Sequence, residues 1–199
     1  LRRGQLHNDI CILELASRRV RCVTRNTARF AFDTSPTWSP DGRRLAFVSF
    51  VGPLNRGIQV INGDGTGRRR LTRGRALDDA PAWSPDGTRI AFSSATGGNP
   101  GFGVLNPRSE IFMMNADGSA RRRLTRNKVF DGYPAWSPHG TVLAFSRTTG
   151  AFGGWPANLD IYRMTTKGRD VQRLTLTPSS ESRPAWQPIP APARSSPAS

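Results

Sequence analysis

The sequence predicts an all-β protein, a β-propeller of four-stranded antiparallel blades, about four of which are visible. Three observations carry that prediction. A stretch close to P-x-W-S-P-x-G-x-x-L-A-F recurs at 36–47, 81–92 and 134–145. Its tryptophans Trp38, Trp83 and Trp136, followed by Trp186, are 45, 53 and 50 residues apart, a spacing typical of repeat architectures. Between them lie short apolar runs separated by turns rich in Pro, Asp and Gly, with no helical periodicity.

The second unit shows the parts most clearly: PAWS (81–84), RIAFSS (89–94), EIFMMN (110–115) and RRRLT (121–125). The first two are joined by Ser-Pro-Asp-Gly, a tight turn in which Pro presets φ and Gly87 is free to take a positive φ. The last two are joined by NADGS, where Asp-Gly is a hairpin signal. The first unit repeats the turn with Asp41 and Gly42, and the third with His139 and Gly140. Histidine suits acid–base or metal chemistry, but His139 has no predicted acidic or second histidine neighbour and reads as a substituted turn residue. Runs such as Ile111–Met114 are apolar at successive positions, as in strands covered on both faces. That suits a blade lying between neighbours, with the tryptophan of each first strand filling the wedge. A β-sandwich would not require such internal similarity.

The units are full at 34–73, 79–126 and 132–175, and partial at 9–25 and 182–188; 189–199 is a Pro/Ala/Ser tail. The first partial unit holds only a third and a fourth strand, the last only a first strand. Either these share one blade that lacks its second strand, or the chain is a fragment of a larger ring such as a six-bladed one; the second reading is preferred. The opening LRRGQLHND lacks the apolar core of a signal peptide, and a start at Leu1 suggests that a natural N-terminus lies upstream. No run of about 18 apolar residues is present to cross a membrane as a helix.

The formal charge is +15, from 27 Arg and 2 Lys against 14 acids. No nucleic-acid recognition motif accompanies it, so nucleic acid is not an expected partner. Turning the first hairpin at Ala16–Arg19 pairs Leu13 with Cys22 and leaves Cys11 on the diagonal, at about 7 Å between Cα atoms. That is the limit for a disulfide, so two free buried cysteines are expected.

The PxWSPDGxxLAFxS stretch followed by IxxMNxDGSxRRLT resembles the TolB-like propeller repeat, over about residues 9 to 188. The resemblance implies a propeller with the first strand of each unit nearest the axis. It also implies an extracytoplasmic module, periplasmic or secreted, that binds proteins or small ligands without catalysis. The same repeats occur as non-catalytic domains of prolyl-oligopeptidase-like peptidases and in some polysaccharide lyases, which makes the propeller portion of an enzyme the alternative.

Strand alternation divides the molecule into two ends. The SPDG and NADG turns share one end; the longer connections at 50–57, 73–80, 95–109, 126–133 and 148–159 share the other. Variable loops on a rigid scaffold are where binding residues concentrate. At that end Asp33, Asp78, Asp131 and Glu181 each lie three residues before the Pro of the Trp motif, and Arg25, Arg73 and Arg126 follow a fourth-strand Thr. The acids are expected to ring a channel mouth. They either bind a cation or a basic segment, or pair with arginines to stabilise the repeat. No cofactor is expected, and no metal site; Ca²⁺ is the one candidate cation, though a wide ring lacks its 6–8 close oxygen ligands. Phe50, Phe102, Phe152 and Trp155 could form an apolar contact patch in the loops.

Chemical motifs are missing. There is no Gly-x-Ser-x-Gly elbow and no His/Cys zinc spacing, and GDGTGRRR (63–70) lies in a hairpin without a helix to cradle phosphate. The RRR runs at 68–70 and 121–123 read first as solvated rim charge.

Overall fold

The computed structural model describes residues 7–28, 30–51, 56–74, 76–95, 109–152 and 155–187. Among them are strands and no helix. Three meandering antiparallel sheets follow one another. The first blade is β4 (Ala31–Trp38), β5 (Arg44–Val51), β6 (Arg56–Asn62) and β7 (Arg69–Arg70). The second is β8 (Leu77–Trp83), β9 (Arg89–Ala95), β10 (Ser109–Asn115) and β11 (Arg122–Arg123). The third is β12 (Asp131–Trp136), β13 (Val142–Phe152), β14 (Trp155–Thr165) and β15 (Gln172–Arg173). Ahead of them a half-blade hairpin joins β2 (Cys11–Glu14) to β3 (Arg19–Cys22), and β1 (His7–Asn8) runs parallel to the start of β4.

The apolar cores lie between blades. Ile10 and Val23 of the half-blade pack on Leu45, Phe47 and Ile61 of the first blade. Ala46, Ile58 and Val60 meet Trp83, Ile90 and Phe92 across the next junction. Ile111 and Met113 meet Trp136, Leu143 and Phe145 across the third. This is why the strands read as continuous apolar runs: the first and second blades are each covered on both faces. Trp83 and Trp136 fill the wedges and are each 7% exposed, whereas Trp38, which has only the half-blade before it, is 44% exposed. Arg44 and Arg89 lay their guanidinium groups over the rings of Trp83 and Trp136, at 5.0 and 5.2 Å.

Two repeated devices lock neighbouring blades. In the hairpin between strands three and four, Gly118 (φ +89°) and Gly168 (φ +76°) lie against the backbone of the preceding blade. A Cβ there would stand 2.9 Å from Leu71 O and 2.6 Å from Leu124 O, so only glycine fits. On the rim, Arg69 donates to Asp117 O at 2.8 Å and Arg122 to Thr166 O at 2.7 Å, and Arg21 reaches Gly63 O in the same way. The arginine runs expected to be solvated rim charge are therefore in part clasps between blades.

The tight turns share one geometry. Gly42, Gly87 and Gly140 have φ of 67–68°, and each donates to the carbonyl of the turn serine at 2.8–2.9 Å. Asp41 and Asp86 accept from the serine hydroxyl and from Arg43 N (3.1 Å) and Thr88 N (3.0 Å). Hydrogen bonds from Ser39 and Ser84 hold the Asp41 and Asp86 carboxylates below the ordinary value, with the backbone N–H next in effect. His139 occupies the same turn position, exposed.

Two expectations change. Cys11 and Cys22 are disulfide-bonded and exposed, not free and buried. The hairpin turns one residue earlier than expected, at Leu15–Arg18, with Arg18 at φ 54°. Cys11 then sits directly opposite Cys22, and Leu13 opposite Val20. Residues 148–159 are also not an irregular loop. β13 and β14 continue as one hairpin in which Phe152 pairs with Trp155.

Candidate functional site at the long-loop end

Each first strand carries a ring acid among its first three residues and kinks two residues after it. Ser35, Ala80 and Tyr133, two residues beyond Asp33, Asp78 and Asp131, have φ of 52°, 49° and 54°, and each strand has a register shift there. This bulge re-aims the strand beyond the acid. Arg183, two residues beyond Glu181, repeats it at φ 58°.

The acids do not open into a channel mouth as free carboxylates. Asp33, Asp78 and Asp131 are buried, and each holds a guanidinium laid across its own sheet. Arg68 Nη2 donates to Asp33 at 3.1 Å and to Ser49 Oγ at 3.0 Å. Arg121 donates to Asp78 at 2.9 and 3.3 Å and to Ser94 Oγ at 2.7 Å. Arg147 donates to Asp131 at 2.7 and 2.8 Å. The first two arginines lie immediately before strand four, one residue ahead of β7 and β11. The third comes from strand two, at the place of Ser49 and Ser94, in a blade whose fourth strand carries Val171 instead of Arg. All three guanidiniums rest on the ring of the second-strand Phe, Phe47, Phe92 or Phe145, at 5.1–5.3 Å. Burial acts to lower the Arg147 pKa, but the Asp131 carboxylate outweighs it and the net shift is upward.

A second row of acids lies on strand three or just before it. Glu110 accepts from Thr125 Oγ1 at 2.6 Å and Asn127 N at 2.8 Å, and it pairs with Arg123. Asp160 pairs with Arg173 at 2.8 Å, and Asp9 accepts from Asn26 N at 2.7 Å. Asn26 and Asn127 also donate to Asp33 and Asp131, at 2.9 and 2.7 Å. Each asparagine thus ties the third-strand acid of one blade to the ring acid of the next. The repeated Thr-Arg-Asn at 24–26 and 125–127 is the sequence trace of this link.

The arginines expected beside the acids are elsewhere. Arg25, Arg73 and Arg126 are exposed, and among the described residues they enter no ion pair. Lys128 is exposed beside them in the same connections. The exposed turn acids Asp41, Asp64, Asp86 and Asp117 all lie at the opposite end. Of the aromatics, Phe50 stacks on Phe32 at 5.0 Å and so is packed. Phe102 lies outside the described residues, and Phe152 and Trp155 close the tip of the β13–β14 hairpin. Among the described residues, no group of three His, Cys, Asp or Glu side chains is placed to hold a metal ion.

With the repeat geometry in view, the TolB beta propeller domain matches residues 3–107, more than half of the chain. The chain belongs to the TolB beta propeller domain family. Its sequence is 35% identical over 79 residues to the Tol-Pal system protein TolB of Rhizorhabdus wittichii, covering 40% of this chain and 17% of that protein. The crystal structure of TolB from Acinetobacter baumannii superimposes with a TM-score of 0.69 at 24% identity, over 88% of this chain and 39% of that one. The chain therefore spans well under half the length of these TolB proteins. The fold also occurs in an enzyme, the oligogalacturonate lyase of Vibrio parahaemolyticus (TM-score 0.60, 11% identity, 83% of this chain and 46% of that one). That likeness is one of fold alone.

Proposed function

We propose that the chain is a non-catalytic scaffold of the cell envelope that binds a protein partner through its long-loop end. The observation that carries this reading is the division of charge at that end. Three of the ring acids, Asp33, Asp78 and Asp131, are neutralised internally by Arg68, Arg121 and Arg147, and Arg25, Arg73, Arg126 and Lys128 are left exposed. The surface offered to a partner is cationic, so an acidic protein segment fits it better than a metal ion or a basic peptide. Such a field steers association and sets partner choice. The exposed Cys11–Cys22 disulfide supports an extracytoplasmic location, because disulfides persist in oxidising compartments.

The name of the Rhizorhabdus relative directs the first test to the Tol–Pal system. A purified Pal protein from the source organism, immobilised, is expected to capture the chain in a salt-sensitive manner. The Arg25→Glu/Arg73→Glu/Arg126→Glu variant should lose capture while melting like the parent. Equal capture of both would overturn the face assignment, and no capture would overturn the Tol–Pal reading. Phe152→Ala with Trp155→Ala tests the hairpin tip in the same assay.

A further inference from the structure

The third-strand acid recurs in the half-blade and in two of the blades, and the first blade lacks it. Asp9, Glu110 and Asp160 each precede an isoleucine, Ile10, Ile111 or Ile161; before Ile58 of the first blade stands Gly57. The register is the same throughout. Gly57 lies opposite Ser49, as Glu110 lies opposite Ser94 and Asp160 opposite Arg147.

The groups that hold the acid elsewhere are nonetheless in place. Thr72 Oγ1 accepts from Ile58 N at 2.9 Å, as Thr125 Oγ1 accepts from Ile111 N at 2.9 Å. Arg70 Nε donates to Thr72 O at 2.7 Å, as Arg123 Nε donates to Thr125 O at 2.7 Å. A Cβ built on Gly57 would stand 2.8 Å from Arg70 Nη2 and 3.0 Å from Thr72 Oγ1. Their counterparts Arg123 and Thr125 hold the Glu110 carboxylate. The third donor to Glu110 is Asn127 N, at 2.8 Å, and Asn26 N serves Asp9 at 2.7 Å. Gly74 takes that sequence place in the first blade, two residues after Thr72. Among the described residues neither the Thr72 hydroxyl proton nor the Gly74 N–H meets an acceptor. Thr72 is buried, and a buried donor without an acceptor is unfavourable. Arg73 and Gly74 are exposed, which puts this notch at the surface of the long-loop end.

We propose that the notch over Gly57 binds a carboxylate supplied by another molecule, in the way the second blade holds its own Glu110. One carboxylate oxygen takes the Thr72 hydroxyl, and the other takes Arg70 and the Gly74 N–H. That is the division at Glu110, whose Oε2 accepts from Thr125 and whose Oε1 accepts from Arg123 and Asn127 N. Such charge-assisted bonds select a planar, two-oxygen anion. The inference rests on the proposed function only for the source of the carboxylate, an Asp or Glu side chain of the acidic partner segment.

The probe is sodium acetate, exchanged for sodium chloride at constant ionic strength and followed in proton–nitrogen correlation spectra of the intact chain. The Gly74 amide should shift saturably, half-way at roughly tens of millimolar. Arg70→Gln should weaken binding by about tenfold or more. Gly57→Asp, which returns the carboxylate within the blade, should abolish it. Arg25→Glu with Arg126→Glu, in other connections, should leave it unchanged. A shift of Gly74 that never saturates, or one that survives both Arg70→Gln and Gly57→Asp, would overturn the proposal. The capture assay then separates the sources. Capture weakened several-fold by Gly57→Asp makes the occupant an acidic side chain of the partner; unchanged capture, with the acetate shift lost, makes it a free small carboxylate. Failure of the parent to be captured sinks the Tol–Pal reading and does not alter the acetate result.

Discussion

Arg147 and Asp131 face each other across the first two strands of the third blade, joined by two hydrogen bonds of 2.7 and 2.8 Å. Arg147 does for this blade what Arg121, on a different strand, does for the second. The fold therefore fixes the place of a guanidinium, over the second-strand Phe and against the ring acid, and not the strand that supplies it.

Removing the cation alone leaves a fully buried carboxylate uncompensated. Arg147→Ala should lower stability by about 3 kcal/mol, in the range for breaking one side of a buried pair. Arg147→Ser combined with Val171→Arg rebuilds the second-blade arrangement of Ser94 and Arg121, and should restore most of the loss. Urea melts of the parent, the single and the double variant check this. A double variant no better than the single one would show that the two routes are not equivalent.

Gly168 is bound to its place by the neighbouring blade. Its positive φ and the 2.6 Å approach of a built Cβ to Leu124 O mean that Gly168→Ala must shift backbone. A loss of about 2 kcal/mol is expected. Gly42→Ala, with a similar φ but nothing within 4 Å, should cost about 1 kcal/mol. Thermal melts of the two variants separate conformational strain from blade-to-blade contact.

The Cys11–Cys22 bond closes a short loop in the half-blade, which among the described residues has two strands of its own. A two-stranded hairpin is marginal in isolation. Reduction, or Cys11→Ser with Cys22→Ser, should cost roughly 2–3 kcal/mol on the loop-entropy scale. Limited proteolysis should then cut at Arg18 or Arg19 sooner than in the oxidised protein. Unchanged cleavage would mean that packing of Ile10 and Val23 alone holds the hairpin.

The turn acids give the protein an acid limb. The carboxylates of Asp41, Asp64, Asp86 and Asp117 titrate below their ordinary value of 3.8, lowered chiefly by hydroxyl and N–H donors in their own turns. For a group whose folded pKa is depressed, the stabilisation is complete above the unfolded value and disappears as pH falls through the folded one. Melting temperature should therefore drop below about pH 4. His139→Asp adds a fifth such turn. It should raise stability near pH 7 by roughly 0.5 kcal/mol through the Ser137 hydroxyl and Thr141 N, and the gain should vanish at low pH.

The propeller was legible in the sequence because its local signals agree. The Trp period, the Ser-Pro-x-Gly turns and the Asp-Gly hairpins each specify one step of the same meander, and the unbroken apolar runs announce sheets covered on both faces. The ring acids were legible as repeated positions, but their partners were not. Arg25, Arg73 and Arg126 are nearer in sequence, whereas Arg68 and Arg121 reach the acids only because their side chains extend from the strand-four edge of the sheet across strands three and two to strand one. The cysteine pairing failed for a smaller reason: a hairpin turn placed one residue late re-pairs every residue after it.

By itself, then, the sequence determined the blade plan, the turn chemistry and which positions repeat, because these depend on contacts within one or two turns of chain. Only the tertiary structure decided that Asp33, Asp78 and Asp131 are buried and paired, that the arginine runs clasp neighbouring blades, and that Glu181 enters no ion pair among the described residues. Each of those depends on side chains that are separated by tens of residues and meet only when sheets stack, where burial turns an unpaired charge from an incidental feature into a constraint.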